Sequence, residues 1–543
     1  MGQATRVRGV RGIDAHLLQR MLDDGEEIAL LDVRETAAFA SSHLWLATHV
    51  PLSRLELRIR RFVPRLQTRI VLCDDGNGIV ERASAVLATM GYDNLYVLQG
   101  GVRAWLAAGY SLIDGNYVVA HCFGYFIEEH YHTPVITGDE LMAKLDANED
   151  VVILDARDES DFCVASLPNA VSVPAAEVAR RIVDLAPDPN TQVVVHCAGV
   201  TRAALGAQGL RNCAVANPVF ALREGTRGWM LAGGELARNN SVARAHISSA
   251  AKAFATNAAQ QLARRFDLTY VTHNDLTQWH LENPDRTCYL IDVRSRQEYL
   301  DGHYPGTLLI PGGELAGMTI DHIATQHARL ALFADEDCAR AEITASWMQQ
   351  LGWSEVVIVS DWKSAKACVT GPEPDYYPEF EELNVTTVSP GELLARLARE
   401  NLAVIDVSHS EDYQRSHISG SIWASRSQLS AKLDMPDRAT GIVITSSRGR
   451  LARLAAADLT SCTDVAISVL EGGNEAWRSA GLETESGLGQ CLGHIDDVDL
   501  NFLETPQIDR NLRCEQYRRI IAWRYGLYPK FKHDQPVQFV VCL

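Results

Sequence analysis

The chain has 543 residues, of which 47% are hydrophobic and 22% are charged, and this balance excludes a wholly disordered protein. Domains usually have ~100–200 residues, so several domains are expected. The net charge of −19 argues against nucleic acid or an anionic membrane surface as the main partner. The twelve cysteines include no C-x-x-C pair and no apolar run reaches ~18 residues, so a cytoplasmic protein with free thiols is expected.

One phrase recurs four times along the chain, each time with an aspartate after a short apolar run. The four anchors are Asp32, Asp155, Asp292 and Asp406. Eleven residues after three of them stands a histidine, whereas the second copy has Ser166 there. Farther on, a β-branched run enters a loop, and a tryptophan follows 70 to 74 residues after each anchor. Landmarks in a constant order at nearly constant spacing predict a tandem array.

Within each copy, apolar strand-like runs alternate with segments of helical periodicity. This alternation predicts an α/β fold in which each copy is a small parallel sheet with helices on both faces. The predicted domains are residues 1–115, 133–237, 266–370 and 385–487. Joining segments are expected near residues 115–135, 237–265 and 370–388. Residues 488–543 match no copy and are expected to form a docking tail.

The residue that ends the β-branched run is aligned as one shared position, occupied in turn by Cys73, Cys197, Ala334 and Thr445. In the second copy, a tight loop after the cysteine turns into a helix, so backbone N–H groups and the helix dipole favour a thiolate. Gly199 lets this backbone curl. Arg202 adds positive charge for an anionic substrate. His196 is the strand neighbour of the cysteine and points to the opposite face, so a Cys–His dyad is not expected.

These motifs together resemble the rhodanese family of sulfurtransferases. The resemblance rests on the LxDxR phrases, on GHYPG at residues 302–306, on the loop HCAGVTR and on the glycine pair before the tryptophan. It implies that Cys197 takes sulfane sulfur from a small anionic donor such as thiosulfate, forms a persulfide, and passes the sulfur to cyanide or a thiol. The residues implied to bind the donor and the sulfur are Ala198, Gly199, Val200, Thr201 and Arg202. No cofactor or metal is implied, and the oligomeric state is left open, with a dimer as one alternative.

The remaining site residues are weighed copy by copy. Asp155 and Arg157 are expected to form a buried ion pair that fixes the strand end, and Arg181 is a candidate to face the pocket from its helix. Cys73 is either an inert relic or a second catalytic site, because Asp74 and Asp75 are expected to raise its pKa and repel an anionic donor. The third and fourth copies lack the cysteine and are predicted to be inactive; Cys338 is too far along the loop to replace it.

Two other functions are open at this point. A cysteine-dependent phosphatase uses a related cradle, but its loop has five residues between cysteine and arginine, whereas only Ala198–Thr201 intervene here. The other alternative is a non-catalytic rhodanese-like scaffold or binding protein, which suits the copies without the cysteine.

Overall fold

The computed structural model describes residues 9–242, 246–282, 284–334, 339–365, 368–374, 383, 385–429, 439–460, 463, 465–499 and 509–541. The chain forms two compact units. One unit consists of Met1–Gln19, Leu30–Gly115 and Tyr376–Leu503, and the other of Arg20–Ala29, Asn116–Asp375 and Glu504–Leu543. The fourth repeat and most of the first thus belong to one unit, and the second and third repeats belong to the other with the end of the chain. None of the described helices has the length and apolar character to cross a membrane.

The first repeat is built on strands that helices cover on both faces, so β2 and β4 are buried at every residue. Its strands are β1 (Arg11–Ile13), β2 (Ile28–Asp32), β3 (Thr48–His49), β4 (Ile70–Cys73) and β5 (Leu95–Leu98). Its helices, with the one that follows, are α1 (Ala15–Asp23), α2 (Thr36–Ser41), α3 (Leu55–Phe62), α4 (Ile79–Thr89), α5 (Gly101–Ala107) and α6 (Val118–Tyr131). The strands follow the order β1-β5-β4-β2-β3.

The second repeat has the same plan. Its strands are β6 (Val135–Ile136), β7 (Val151–Asp155), β8 (Ala165–Ser166), β9 (Val171–Ser172), β10 (Gln192–His196), β11 (Val219–Leu222) and β12 (Ala237–Arg238). Its helices, with the one that follows, are α7 (Gly138–Asp146), α8 (Glu159–Val164), α9 (Val178–Leu185), α10 (Thr201–Asn212), α11 (Gly225–Leu231) and α12 (Ser249–Arg265). The parallel sheet has the order β6-β11-β10-β7-β9.

The third repeat keeps this order in a parallel sheet, β13-β18-β17-β14-β15. Its strands are β13 (Thr269–Val271), β14 (Cys288–Asp292), β15 (Leu308–Leu309), β16 (Thr325–Gln326), β17 (Arg329–Phe333) and β18 (Val356–Val359). Its helices are α13 (His273–Glu282), α14 (Arg296–Asp301), α15 (Gly312–Gly317) and α16 (Arg340–Gln350). A 3₁₀ helix at Trp362–Ala365 stands where the other repeats have a last α-helix.

The fourth repeat adds one strand to the common order, giving β19-β24-β23-β20-β22-β26. Its strands are β19 (Thr387–Val388), β20 (Leu402–Asp406), β21 (His417–Ile418), β22 (Ile422–Ala424), β23 (Gly441–Thr445), β24 (Ile467–Leu470), β25 (Thr484–Glu485) and β26 (Gln490–Leu492). Its helices are α17 (Pro390–Leu397), α18 (Ser410–Arg415), α19 (Arg450–Thr460) and α20 (Gly473–Ser479). The chain then forms the long helix α21 (Arg510–Asp534).

The predicted fold class is confirmed, because each repeat holds a parallel sheet with helices around it. The expected joining segments and tail are more structured than the sequence suggested. Residues 115–135 contain α6, which packs on α10, and residues 237–265 contain α12, which packs on α9 and α16. Strand β26 pairs with β22, so the fourth sheet extends past residue 487. Residues 375–382 and 384 of the predicted linker at 370–388, as well as Cys338, lie outside the described residues.

Candidate active site

The cysteine loop of the second repeat connects β10 to α10 and encloses the sulfur. Cys197 follows the last strand residue and is only 3% exposed. The backbone N–H of Gly199 donates to the Cys197 Sγ across 3.3 Å. The chain returns against this loop at Gly225, whose φ is +51° and where a Cβ would lie 2.0 Å from the Cys197 carbonyl oxygen. Only glycine fits that approach, which explains the glycine before the tryptophan in this repeat.

The backbone register corrects the alignment of the four loops. In every repeat, the N–H after the anchor aspartate donates to the carbonyl oxygen of one residue at the end of the neighbouring strand. Those acceptors are Cys73, His196, Phe333 and Thr445. Cys73 and Thr445 therefore correspond to His196. The residues that correspond to Cys197 are the next ones, Asp74, Ala334 and Ser446.

A second set of hydrogen bonds supports this register. The carbonyl oxygens of Asp74, Cys197 and Ser446 each accept from the residue that follows the last glycine of the returning turn, which is Gly101, Gly225 or Gly473. The predicted equivalence of Cys73 and Thr445 with Cys197 is thus wrong by one residue. Cys73 and Thr445 are the last residues of their strands, whereas Cys197 is the first residue after its strand. The placement of Ala334 was correct.

In the first repeat, the loop already binds a negative charge of its own. The Asp74 carboxylate accepts hydrogen bonds from the backbone N–H groups of Gly76 at 2.7 Å, Ile79 at 3.1 Å and Val80 at 3.3 Å. Cys73 is fully buried on the other side of the strand end, beside Asp32. Burial first, and then the charge of Asp32, raises the pKa of Cys73 well above its ordinary value. Thus Cys73 does not share the environment of Cys197.

The third and fourth loops present different side chains at the same position. Ala334 offers only a methyl group, and residues 335–338 lie outside the described part of the chain. Ser446 accepts a hydrogen bond from the Ala452 backbone N–H through its Oγ, at 3.2 Å. Neither side chain can act as a sulfur nucleophile.

The anchor aspartate of the second repeat holds the strand end as expected. Arg157 Nη2 lies 2.7 Å from Asp155 Oδ2, and both side chains are buried. The Ser166 hydroxyl donates to Asp155 at 2.7 Å and lies 3.3 Å from His196 Nε2. The His196 ring thus faces Ser166 and Asp155, and burial is the main cause that lowers its pKa. Its Nδ1 has a contact with the Cys197 carbonyl oxygen at 3.5 Å, not with the sulfur.

The two predicted arginines occupy different places. Arg202 lies at the start of α10, and its guanidinium contacts the carboxylate of Glu314 and, at 3.5 Å, that of Asp161. Its charge is therefore shared with two carboxylates. Arg181 lines a cleft of about 450 Å³ formed with residues of the third repeat, and Cys197 is not part of that lining. The structure brings together the loop Ala198–Arg202 and Cys197, but not Arg181.

Sequence reasoning missed three further residues that approach this loop, one from α11 of the same repeat and two from helices outside it. Arg227 Nη1 donates to the Ala198 carbonyl oxygen at 2.9 Å. Arg524, from α21, pairs with Glu224 at 2.6 Å and lies against Gly199. His121, from α6, lies close enough for its pKa to be affected by three arginines of the site. No motif marks these positions, because α6 and α21 belong to no repeat.

Comparisons with known proteins agree with this architecture. The model of the rhodanese-like domain family matches residues 14–108, 137–232 and 389–480, together more than half of the chain. A crystal structure of a thiosulfate sulfurtransferase from Pseudomonas aeruginosa is 36% identical, covers 98% of this chain and 100% of its own, and superposes with a TM-score of 0.92. A sulfurtransferase of Allochromatium vinosum is 28% identical over 104 residues, which are 19% of this chain and 95% of that protein.

Proposed function

Because the chain belongs to the rhodanese-like domain family and is a sulfurtransferase of that type, we propose that Cys197 carries the transferred sulfur. The donor is a small anion such as thiosulfate, and the acceptor is a thiophile, either cyanide or a thiol. The observation that carries this proposal is the pair of equivalent loops. The first repeat binds the Asp74 carboxylate with backbone amides, and the second presents a sulfur to the same kind of loop.

The proposed reaction has two steps. The Cys197 thiolate attacks the outer sulfur of thiosulfate, the sulfur–sulfur bond of the donor breaks, and sulfite leaves with the electron pair. The resulting persulfide anion is stabilised by loop amides, of which the Gly199 N–H already contacts Sγ. Cyanide then attacks the outer sulfur, thiocyanate leaves, and the Cys197 thiolate is restored.

Several observations favour this function over a phosphatase. Only four residues separate Cys197 from Arg202, and the Arg202 guanidinium contacts Glu314 and Asp161. The cradle of a phosphatase needs its arginine for the phosphate oxygens. The nine described cysteines are free thiols, so the proposal also assigns the protein to a reducing compartment such as the cytoplasm.

The test is a thiosulfate–cyanide assay on the purified chain, in which the rate of thiocyanate formation is measured. We expect Cys197→Ser to lower turnover by more than about 10⁴-fold, because the reaction loses its nucleophile. The matched control, Cys73→Ser, is expected to keep full activity, because Cys73 does not occupy the nucleophile position.

Intact-protein mass spectrometry after thiosulfate treatment supplies an independent readout. The wild type is expected to gain one sulfur atom, located on the Cys197 peptide. Full activity of Cys197→Ser, or hydrolysis of an aryl phosphate without any persulfide, would overturn the proposal.

A further inference from the structure

The helix α21, which belongs to no repeat, contributes a buried cation to the Cys197 loop. Its buried face consists of side chains spaced by three and four residues: Tyr517, Ile520, Arg524, Leu527 and Phe531. Four of these are hydrophobic or aromatic, as expected for a helix packed on α6 and α11. The fifth is an arginine, and it is only 2% exposed. A buried guanidinium is costly unless it has charged partners, so its position calls for an explanation.

The guanidinium of Arg524 lies directly against the loop. A Cβ added at Gly199 would be 2.5 Å from Nη1, 2.7 Å from Cζ and 2.9 Å from Nη2. No side chain can therefore replace the hydrogen of Gly199 while Arg524 keeps this position. The residue whose N–H contacts the sulfur is thus also the residue that faces the tail arginine.

Glu224 is a hydrogen-bond partner for only some of the N–H groups of this guanidinium. Arg524 Nη1 lies 2.6 Å from Glu224 Oε2, while the other oxygen of Glu224 accepts from the Tyr125 hydroxyl at 3.2 Å. Among the described residues, Arg524 Nε is buried and has no hydrogen-bond partner. The guanidinium that lies against Gly199 therefore has an N–H donor available for an anion.

Two further arginines, Arg202 and Arg227, lie near this loop, and Arg202 is paired with carboxylates. Arg227 donates to the Ala198 carbonyl oxygen, and its guanidinium lies 5.8 Å from the ring centre of Tyr517, which is on the same face of α21. The pKa of His121 lies well below its ordinary value because of burial and then because of Arg524, Arg227 and Arg202, so this imidazole is neutral. Arg227 and Arg524 thus both contact the loop, at Ala198 and at Gly199.

We propose that Arg524 is the donor-binding residue of the Cys197 site, and that its guanidinium holds the anionic leaving group of the donor, such as the sulfonate of thiosulfate. The tail helix therefore completes an active site that the second repeat alone leaves open. This inference rests on the proposed function for the identity of the donor, but not for the anion site itself.

The anion site is tested with two alkylating reagents of similar size and opposite character. Iodoacetate carries a carboxylate, whereas iodoacetamide is neutral, and peptide mass spectrometry follows both reactions at Cys197. In the wild type, the iodoacetate-to-iodoacetamide rate ratio is expected to exceed that of free cysteine at the same pH. In Arg524→Gln this ratio is expected to fall by about 10- to 100-fold, the effect of losing a hydrogen bond to a charged group, with the iodoacetamide rate kept.

Sulfur transfer supplies the second measurement. Arg524→Gln is expected to raise KM for thiosulfate more than it changes kcat, and Arg524→Lys to recover part of the affinity because it keeps the charge but not the planar fork. The matched control is Arg519→Ala on the same helix, where the side chain is 77% exposed and pairs with Glu515. It is expected to change neither the ratio nor KM.

The outcomes separate the two proposals. A wild-type ratio equal to that of free cysteine overturns the Arg524 proposal without any variant, so a variant that fails to fold does not prevent the test. A rise of both alkylation rates in Arg524→Gln also overturns it, because Arg524 would then cover the loop rather than bind the donor. Charge selectivity that depends on Arg524, in a protein that forms no persulfide from thiosulfate, would keep the anion site and reject the proposed function.

Discussion

The loops of the first and second repeats lie at the same place between a strand and a helix but hold different groups. In the first, three backbone N–H groups surround the carboxylate of Asp74. In the second, the corresponding side chain is Cys197, whose sulfur accepts from Gly199. The first repeat thus shows that a loop at this place in the fold binds a negative charge. In that repeat the position of the sulfur is occupied by Asp74.

The difference between the two loops comes from a one-residue step along the strand. Successive residues of a strand point to opposite faces, so the last strand residue faces the anchor aspartate and the next one faces the loop. Cys73 is the former and Cys197 is the latter. A cysteine near the strand end is therefore not enough for catalysis. A shift of one residue along the chain decides whether loop amides or a carboxylate surround the thiol.

The largest effect is expected when the second loop receives the side chain of the first. In Cys197→Asp the loop amides should bind the new carboxylate as they bind Asp74, so sulfur transfer is lost on the order of 10⁴-fold while the fold is kept. Thiocyanate formation measures the activity, and thermal unfolding measures the stability.

The control for this exchange is Cys197→Asn, which has nearly the same shape without the charge. Because hydrogen bonds to a charged acceptor are stronger than those to a neutral one, the aspartate variant should unfold at the higher temperature. An asparagine variant that is equally stable or more stable would show that the second loop does not bind anions as the first does.

The reciprocal exchange should produce a smaller effect, which is a gain in the reactivity of a thiol. In a Cys73→Ser/Cys197→Ser background, Asp74→Cys places a thiol among the amides of the first loop. A pKa lowered by one unit gives about ten times more thiolate than an ordinary thiol has, and the pKa of Cys73 is raised. Alkylation of the introduced thiol by iodoacetamide at pH 7 should therefore be more than about tenfold faster than alkylation of native Cys73.

The pH dependence of native Cys73 sharpens this test. Burial and Asp32 raise the pKa of Cys73, so its thiolate fraction stays small at neutral pH. Its alkylation rate should therefore keep rising with pH and should not reach a plateau before the pH passes the ordinary pKa of a cysteine. The introduced thiol should reach its plateau at lower pH. Equal profiles for the two thiols would contradict the assignment of different environments.

The repeat pattern sufficed to predict the fold, because anchor, loop and tryptophan are fixed by local packing in every copy. It did not resolve the loop register. Cys73 lies 41 residues after Asp32, and Cys197 lies 42 residues after Asp155, which looks like ordinary drift between repeats. Only the strand hydrogen bonds show that this difference of one residue places Cys73 and Cys197 at different positions of the loop.

Other parts of the site leave no local signal at all. Arg524 is more than 300 residues away from Cys197 along the chain, and it reaches the loop through the packing of α21 on α6 and α11. The charge pattern of the helix does not indicate which arginine is buried. Such contacts follow from tertiary packing, so a motif search within the repeats could not find them.

The second repeat also differs from the others around its anchor aspartate. In the first, third and fourth repeats, a histidine eleven residues after the anchor stacks on an aromatic ring, with ring centres 3.9, 3.6 and 3.8 Å apart. In the second repeat that position is Ser166, and an imidazole reaches the same aspartate from the strand instead, as His196. The second repeat thus carries its histidine at the strand end, beside Ser166 and Asp155, and not eleven residues after the anchor.

This exchange predicts the smallest of the effects, a coupling between Ser166 and His196. Ser166→His alone puts a second imidazole into a filled space, and His196→Cys alone leaves Asp155 and Ser166 without their ring partner; each should cost about 1–2 kcal/mol. The double variant rebuilds the arrangement of the first repeat, so its loss should be smaller than the sum by about 1 kcal/mol or more. Calorimetric unfolding of the four proteins under reducing conditions measures this coupling. Additive losses would mean that the two positions do not share one site, and that the resemblance of His196 to the stacked histidines is only geometric.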